Sequence, residues 1–255
     1  MIVYNTMIDS HFHLEQPQYK DREALIKEWK RDLSGVITSC ANPRDLDVTL
    51  GFVKKWPSFV KATAGLHPQY VNDFSQEQVN EYLEKIKQNQ KSFVGIGEIG
   101  LDFHWIKDIP SQEKSKELFR KLLGFAQDLK KPVVIHNWES GEDTIKILEE
   151  FSPKKVQMHM WGERKLLDKI IQNNWYISVG PVIFKSKERK KIIRDFPLER
   201  IFLETDSPWF PMGEDKIGYP TNIRKVAERV AEIKKLDFET VWKVCGENVK
   251  KFFIL

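Results

Sequence analysis

Histidines and carboxylates are the side chains in this sequence best suited to metal chemistry, and several of them close short apolar runs. The stretch "IDSHFHL" places His11 and His13 one residue apart. Four further residues of these types end or follow such runs: Glu98 in "VGIGEIGLDF", His136 in "PVVIH", His159 in "KVQMH" and Asp206 in "IFLETD". Imidazole and carboxylate groups are common ligands of divalent metals in proteins. The pattern therefore indicates a metal site, provided that the fold brings these runs together.

Short apolar runs alternate with helical patterns along the whole chain. The runs predict eight strands, over Met7–His11, Gly35–Cys40, Phe59–Gly65, Phe93–Glu98, Pro132–His136, Lys155–His159, Trp175–Gly180 and Arg200–Asp206. Helical patterns predict helices that include Arg22–Asp32, Gln76–Gln90, Ser111–Lys130, Glu142–Phe151, Glu163–Asn173, Lys187–Asp195, Asn222–Lys234 and Phe238–Phe253. Strict alternation is typical of a parallel sheet. Eight units within 255 residues predict an α/β fold, a (β/α)8 TIM barrel that forms a single domain over residues 1–255.

In such a barrel, reactive groups lie at the carboxyl ends of the strands. Side chains at positions i and i+2 of a strand point the same way. His11 and His13 are therefore expected to face the barrel mouth together, while Phe12 packs outward. Strand eight meets strand one in a closed barrel, which brings Asp206 to the same side.

Six candidate ligands are more than one catalytic zinc takes, since such a zinc has three protein ligands and a water. They suit two divalent ions, either Zn, Mn, Co, Fe or Mg. His136 and His159 form the second group, and Glu98 lies between the groups as the expected bridge. A bound divalent ion lowers the pKa of water from ~15.7 to about 7. We expect Glu98 and Asp206 to be catalytic, with Asp206 placed to take the proton of the attacking water.

Composition sets few limits on the substrate. The chain has 41 Lys and Arg against 37 Asp and Glu, a net charge of +4, which is a mild excess for a nucleic-acid-binding protein. Cys40 and Cys245 are the two cysteines, too few for a disulfide framework and typical of a reducing compartment. No secretory leader pattern or long apolar segment is present. The sequence predicts a cytoplasmic protein without membrane association and without a stable protein partner.

Taken together, the apolar runs with their polar ends resemble the TatD family of metal-dependent deoxyribonucleases. The matching segments are "DSHFHL", "AGLHP", "GEIGLDF", "PVVIH", "VQMHM" and "FLETDSPWFP", and they occur in family order up to the tail "ENVKKFF". The resemblance implies a TIM barrel with two metal ions that hydrolyses phosphodiester bonds in DNA. It also implies metal ligands at His11, His13, Glu98, His136, His159 and Asp206.

Three segments depart from the family pattern. The family usually reads His-Ser-Arg after the fifth strand, where this chain has His136–Trp138 and so replaces an arginine suited to phosphate by tryptophan. It usually reads His-Cys-Phe-Ser-Gly after the sixth strand, where this chain has His159–Gly162. An Arg-Asn-Glu-Pro run is replaced by Tyr219–Asn222. Because one charge-assisted phosphate contact contributes ~1.5–3 kcal/mol, the substitutions bear on substrate binding rather than on the metal centre.

Several other residues have two interpretations each. His67 in "AGLHP" is expected either to act in catalysis, as a donor to the phosphate or leaving group, or to fix its own loop. Glu204 is expected to point inward beneath Asp206, as a partner that orients a histidine ligand or as a hydrogen-bonded core carboxylate. His104 reads as a loop residue.

Tryptophans follow several strand ends and either stack on bases or pack loops. Trp138 and Trp161 are the better stacking candidates because each lies two residues past a ligand, whereas Trp105 and Trp209 are less well placed. Four basic residues are candidates for phosphate contacts: Arg164, Lys185, Lys187 and Arg224.

The predicted function is hydrolysis of DNA phosphodiester bonds by metal-activated water, with single strands and a 3′ end as the expected substrate. The alternative is that the same metal centre hydrolyses the ester or amide bond of a carbonyl substrate, such as an aminoacyl-RNA. A binding protein without activity is a third interpretation, which the six ligand-type residues at strand ends oppose.

Overall fold

The computed structural model describes residues 6–255, so the first five residues of the predicted domain lie outside the described range. Eight parallel strands form one sheet in chain order. They are β1 (Ile8–Phe12), β2 (Gly35–Cys40), β3 (Val60–Ala64), β4 (Phe93–Asp102), β5 (Val133–Trp138), β6 (Val156–Met158), β7 (Tyr176–Val179) and β8 (Ile201–Leu203). The Asp206 N–H donates to the His11 carbonyl at 3.0 Å and the His13 N–H to the Ser207 carbonyl at 2.9 Å. These bonds join the last strand end to the first, and the predicted (β/α)8 barrel is confirmed as a nearly closed one.

Nine α-helices of the described residues surround the sheet. They are α1 (Arg22–Trp29), α2 (Leu46–Lys55), α3 (Gln76–Gln88), α4 (Ile109–Asp128), α5 (Gly141–Phe151), α6 (Leu167–Gln172), α7 (Lys187–Asp195), α8 (Ile223–Lys234) and α9 (Phe238–Phe253). Helix α2 was not among the helical patterns named from the sequence. Side chains in the first turn cap several of the helices. At the start of α3, Ser75 and Gln78 form a reciprocal capping box.

Two apolar layers hold the barrel together. The larger one lies between strands and helices, where Phe12 meets Trp29 of α1 edge to face at 5.9 Å. The outward direction predicted for Phe12 is therefore confirmed. A smaller layer joins Ile37, Val134 and Phe202 to Phe252 and Phe253 of α9. Apolar packing thus supports the strands below the polar residues that follow their carboxyl ends.

Two strands carry register shifts next to the predicted ligands. From Asp9 to Phe12, β1 advances three residues while β2 advances two, from Val36 to Thr38. Strand β4 likewise advances three residues from Ile96 to Ile99 while β5 advances two. An extra residue in a strand re-aims the side chains around it. The shifts therefore help to set the directions of His11 and Glu98.

Glycine is required where β4 and β5 run closest together. Gly100 has a φ of +143°, and a Cβ on it would lie 2.0 Å from the His136 carbonyl oxygen. A side chain at this position would push the strands apart. Because of Gly100, β4 continues past Glu98 to Asp102 and presents both carboxylates beside β5.

None of the helices among residues 6–255 is long and apolar enough to cross a membrane.

Candidate metal centre

The end of β1 delivers two imidazoles to the middle of the barrel mouth. The Nε2 atom of His11 lies 3.4 Å from Oε2 of Glu98 and 3.7 Å from Oδ1 of Asp206. The Nε2 atom of His13 lies 3.2 Å from the same Asp206 oxygen. On its other side, the His13 ring is fixed by the Ser39 carbonyl at 3.1 Å and by Glu15 at 3.3 Å. His11, His13 and Asp206 therefore form one compact group.

Glu98 lies among the remaining histidines. Its Oε1 atom is 2.8 Å from Nδ1 of His136, 3.7 Å from Nε2 of His67 and 3.8 Å from Nε2 of His159. Its other oxygen faces His11. The carboxylate thus lies between both groups of candidate ligands.

Carboxylates behind the histidines orient two of the rings. His159 Nδ1 lies 3.1 Å from Glu204 Oε2, and the other Glu204 oxygen accepts the Met160 N–H at 3.0 Å. His136 Nε2 lies 3.0 Å from Asp102 Oδ2. Such carboxylate partners fix the ring and tautomer of a histidine that binds metal through its other nitrogen.

Ligand-type atoms cluster closely enough for metal binding. Three overlapping sets have their ligand atoms within 4.8 Å of one another: His11, Glu98 and His159; His11, His13 and Asp206; and His67, Glu98 and His136. The Nε2 atom of His11 is buried and makes no hydrogen bond among the described residues, although it lies 3.4 Å from a Glu98 oxygen. A buried polar atom without a partner costs free energy, and a divalent ion at this position would satisfy it. The residues present therefore fit a metal site.

Charges within the mouth shift the pKa values of its members. Burial would raise the pKa of Glu98, but His159, His67 and His11 hold it well below its usual range. Burial would lower the pKa of His159, but Glu204 and Glu98 raise it to about 10. Burial and then the neighbouring His136 lower the pKa of His67 to about 3. The Glu98 carboxylate is therefore ionised at neutral pH, while His67 is uncharged.

His67 serves its loop and the mouth at once. Its Nδ1 atom accepts the Gln69 N–H at 3.1 Å, at the start of a short 3-10 helix. In the neutral ring this leaves the proton on Nε2, which points toward Glu98. The contact of Nδ1 with Gln69 supports the loop interpretation, and the catalytic interpretation of His67 stays a prediction.

A cavity of about 550 Å³ lies above these residues. Its lining includes Trp105, Trp138 and Trp209, which are 67%, 44% and 49% exposed. Within residues 6–255, its lining contains five carboxylate residues and no lysine or arginine. The four basic residues considered for phosphate contacts are accordingly absent from the lining. Two of them have other partners, since Arg164 pairs with Asp195 and Arg224 stacks on Phe238.

Trp161 does not lie where base stacking requires it. Its side chain is only 2% exposed, belongs to the hydrophobic core and donates its indole N–H to the Glu163 carbonyl at 3.1 Å. The buried Trp161 ring therefore offers no face on which a base could stack. Strand β6 ends at Met158, and Met160 has a φ of +44°, so strand alternation does not extend to Trp161.

Sequence reasoning missed Asp102 and Glu15, which contact the rings of His136 and His13. Asp102 has the same strand parity as Glu98, and a strand predicted to continue past Glu98 would have included it. Glu15 follows His13 by two residues and accepts the Thr38 hydroxyl at 2.7 Å. Asp9 was missed as well, and it binds the His11 N–H at 3.2 Å and the Thr205 hydroxyl at 2.6 Å.

Known proteins match this chain along almost its whole length. The YabD protein of Bacillus subtilis (strain 168), named an uncharacterized metal-dependent hydrolase, is 30% identical over 97% of this chain and 98% of its own length. Human deoxyribonuclease TATDN3 is 26% identical over 97% of this chain and 94% of its own length. The human protein named 3′-5′ RNA nuclease TATDN2 is also 26% identical, over 97% of this chain and 35% of its own length.

A solved structure shares the fold. The Escherichia coli K12 protein YjjV, a TatD homologue, superposes with a TM-score of 0.90 at 21% identity, covering 98% of this chain and 99% of its own. The family model for TatD related DNase matches residues 8–254. Since that match spans nearly every described residue, this chain belongs to the TatD-related DNase family of metal-dependent hydrolases.

Proposed function

We propose that this protein hydrolyses phosphodiester bonds of nucleic acid, single-stranded DNA in the first place, with two divalent ions at the barrel mouth. The observation that supports this most is the position of Glu98, which faces His11 with one oxygen and His136 with the other. His13 and Asp206 would complete one ligand group and His159 the other. Two relatives are named nucleases of DNA and RNA, and a nuclease is the function that we infer for this chain.

Each mouth residue has a task in the proposed reaction. When bound, the divalent ions would supply an acidified water and positive charge for the phosphate oxygens. Asp206 accepts a proton from the attacking water, because its ionised carboxylate lies between His11 and His13. His67 donates from Nε2 to a phosphate oxygen or to the leaving group. Glu204 and Asp102 hold the rings of His159 and His136.

The direct test uses single-stranded DNA labelled at the 3′ or at the 5′ end, with metal-supplemented protein. We expect release of single nucleotides from the 3′ end and loss of at least ~100-fold in rate with Asp206→Asn, since removing one oriented charge from such a site costs about that much. The matched control is Asp168→Asn, in α6 and outside the mouth lining. Equal rates for Asp206→Asn and the parent would contradict the proposal.

One observation favours a second candidate, hydrolysis of an ester or amide at a carbonyl carbon. The mouth lining lacks lysine and arginine among the described residues, which suits a less charged substrate. Small activated esters and small phosphodiesters, assayed side by side, separate the two. Cleavage of the esters alone would favour the carbonyl hydrolase, whereas cleavage of phosphodiesters alone supports the nuclease.

The proposal also includes a cytoplasmic location. Cys40 and Cys245 are both free and buried, which is compatible with a reducing compartment. Fractionation of the native host's cells, with detection of this chain by antibody, tests the location.

A further inference from the structure

Three aromatic side chains form a preassembled surface at one wall of the mouth cavity. The imidazole of His104 stacks on the indole of Trp138, with ring centroids 4.1 Å apart and planes 7° from parallel. Trp105 meets both rings edge on, at 4.8 Å and 6.1 Å. We call these three residues the aromatic platform. Its outer part is accessible, since Trp138 is 44% exposed although His104 covers one face.

Hydrogen bonds and strand pairing fix the aromatic platform before any substrate arrives. Trp138 is the last residue of β5, and its carbonyl accepts the Phe103 N–H at 2.9 Å. His104 Nδ1 lies 2.8 Å from a Glu139 oxygen, and the other Glu139 oxygen accepts from Lys107 at 3.3 Å. A fixed ring loses little conformational entropy when a ligand stacks on it.

The same strand connects the aromatic platform to the metal centre. Trp138 follows His136 by two residues, about 7 Å along an extended strand. One nucleotide spans a comparable distance from its phosphate to its base. Asp102 also links the two places, because one oxygen faces His136 Nε2 and the other accepts the Trp105 N–H at 2.9 Å.

The charges that line the cavity do not favour binding of a nucleic acid strand through several of its phosphates. Proteins that bind several phosphates use lysine and arginine, and residues 6–255 place neither in the lining. Two bound divalent ions would attract the one phosphate that reacts, while the remaining carboxylates of the lining, among them Glu15, Asp45 and Asp102, would repel further phosphates. Affinity then has to come from the uncharged part of a nucleotide.

We infer that the aromatic platform is a base-binding subsite, in which one base next to the reacting phosphate stacks on Trp138. This rests on the proposed function and deepens it. The substrate is recognised by one stacked base rather than by a run of phosphates, and every base has a face for stacking.

The test combines substitution of Trp138 with removal of single bases from the strand, as in a double-mutant cycle. Binding is measured by fluorescence anisotropy with labelled single strands whose phosphorothioate linkages resist cleavage, using metal-loaded protein. Strands carry either all bases or one abasic unit at each position near the 3′ end. The variants are Trp138→Ala, Trp138→Phe and, as a control outside the lining, Phe184→Ala.

We expect Trp138→Ala to weaken binding of the intact strand about tenfold or more, in line with the contribution of one stacked base. One abasic position should weaken binding to the parent by a similar factor and add nothing further in Trp138→Ala, because both changes remove the same contact. Trp138→Phe should keep most of the affinity. With cleavable strands, Trp138→Ala should raise KM and leave kcat within about threefold.

Each contrary result has one meaning. An equal loss of affinity from Trp138→Ala on intact and on abasic strands would overturn the aromatic platform as a subsite, even where the strands are cleaved. So would an unchanged affinity of Trp138→Ala together with a loss in a further variant, Trp209→Ala, at the other side of the lining. Trp138-dependent binding without any cleavage would support the subsite and remove the nuclease proposal. If the parent protein neither binds nor cleaves the strands, the subsite and the nuclease proposal are both overturned.

Discussion

The cavity at the carboxyl ends of the strands and the cavity at their amino ends differ in the charged side chains that line them. The mouth cavity is lined by five carboxylate residues and, within the described chain, by no lysine or arginine. The second cavity, of about 890 Å³ near the starts of β4, β5 and β6, is lined by six lysines and, over the same residues, by no aspartate or glutamate. We call it the base cavity.

Barrel architecture explains the lysines of the base cavity. Every helix of a (β/α)8 barrel ends on the side where the strands begin, so carbonyl groups with partial negative charge collect there. The Lys155 ammonium group donates a hydrogen bond to the Phe252 carbonyl, in the last turn of α9, at 2.6 Å. The Lys131 ammonium group donates to the Phe93 carbonyl, at the start of β4, at 2.7 Å. These lysines complete backbone hydrogen bonds, which is a contribution to stability.

The mouth is only partly explained in this way. Carboxylates pair with several of its histidines, but Nε2 of His11 is buried and makes no hydrogen bond within residues 6–255, which costs free energy unless a metal binds there. Under the proposed function, the same barrel uses charge for stability at one end and for chemistry at the other. Substitutions at the two ends should therefore have different effects.

The largest effect is expected from Glu98→Gln, which removes the charge shared by both ligand groups. We expect kcat to fall by more than about 100-fold, because even the outer partners of metal ligands contribute about 10- to 100-fold. Glu204 acts through His159, so the loss of kcat with Glu204→Gln should lie within that range of about 10- to 100-fold. Steady-state hydrolysis and metal content are measured together, with the exposed Glu247→Gln as control. If Glu98→Gln keeps the metal content and the kcat of the parent, the proposed functional difference between the mouth and the base cavity is wrong.

Metal removal should lower the stability of the whole chain. A ligand that binds only the folded state stabilises it by about 2.7 kcal/mol at a concentration of 100 times its Kd. We expect the Tm of chelator-treated protein to rise by several degrees when divalent metal is added, and the rise to be lost in His11→Ala. Calorimetry measures it. If His11→Ala shows the same rise, the metal binds outside the mouth.

Salt should affect substrate binding only weakly. Single-strand binding depends on salt with a slope of about −0.7 for each neutralised phosphate. With one phosphate at the metal centre and no lysine or arginine in the lining that residues 6–255 form, KM should rise about threefold or less between 50 and 200 mM salt. A steeper dependence, measured with short single strands, would indicate a cationic binding surface elsewhere on the barrel.

The smallest effect is expected at the base cavity. Lys155→Met keeps the aliphatic stem and removes the bond to Phe252, so unfolding free energy should fall by about 1 kcal/mol while kcat stays unchanged. The matched control is Lys154→Met, at an exposed neighbour that also lines the base cavity. Urea titration and the hydrolysis assay are run on the same samples. A fall in kcat with normal stability would give the base cavity a role in function.

Much of this structure was predictable because strand order and strand ends follow from local pattern. All eight strands were predicted, and the six ligand-type residues do meet at the mouth. Strand alternation applied to Trp138, which stays within β5. It did not apply to Trp161, because β6 ends at Met158 and the backbone turns at Met160.

Other features depend on contacts between distant segments. The register shifts of β1 and β4 depend on pairing with β2 and β5, and Asp102 reaches His136 only because β4 continues past Gly100. The partnership of His104 with Trp138 joins the loop after β4 to the end of β5. Such pairings leave no periodic signal within either segment.

A metal titration of chelator-treated protein, with hydrolysis of single-stranded DNA as the readout, tests the two-metal centre most directly. We expect activity to rise with added divalent metal and to reach its plateau at two equivalents per chain, and Glu98→Gln to show no such plateau. Full activity at one equivalent would contradict the two-metal centre. Activity that persists without metal would contradict the mouth as a metal-dependent active site.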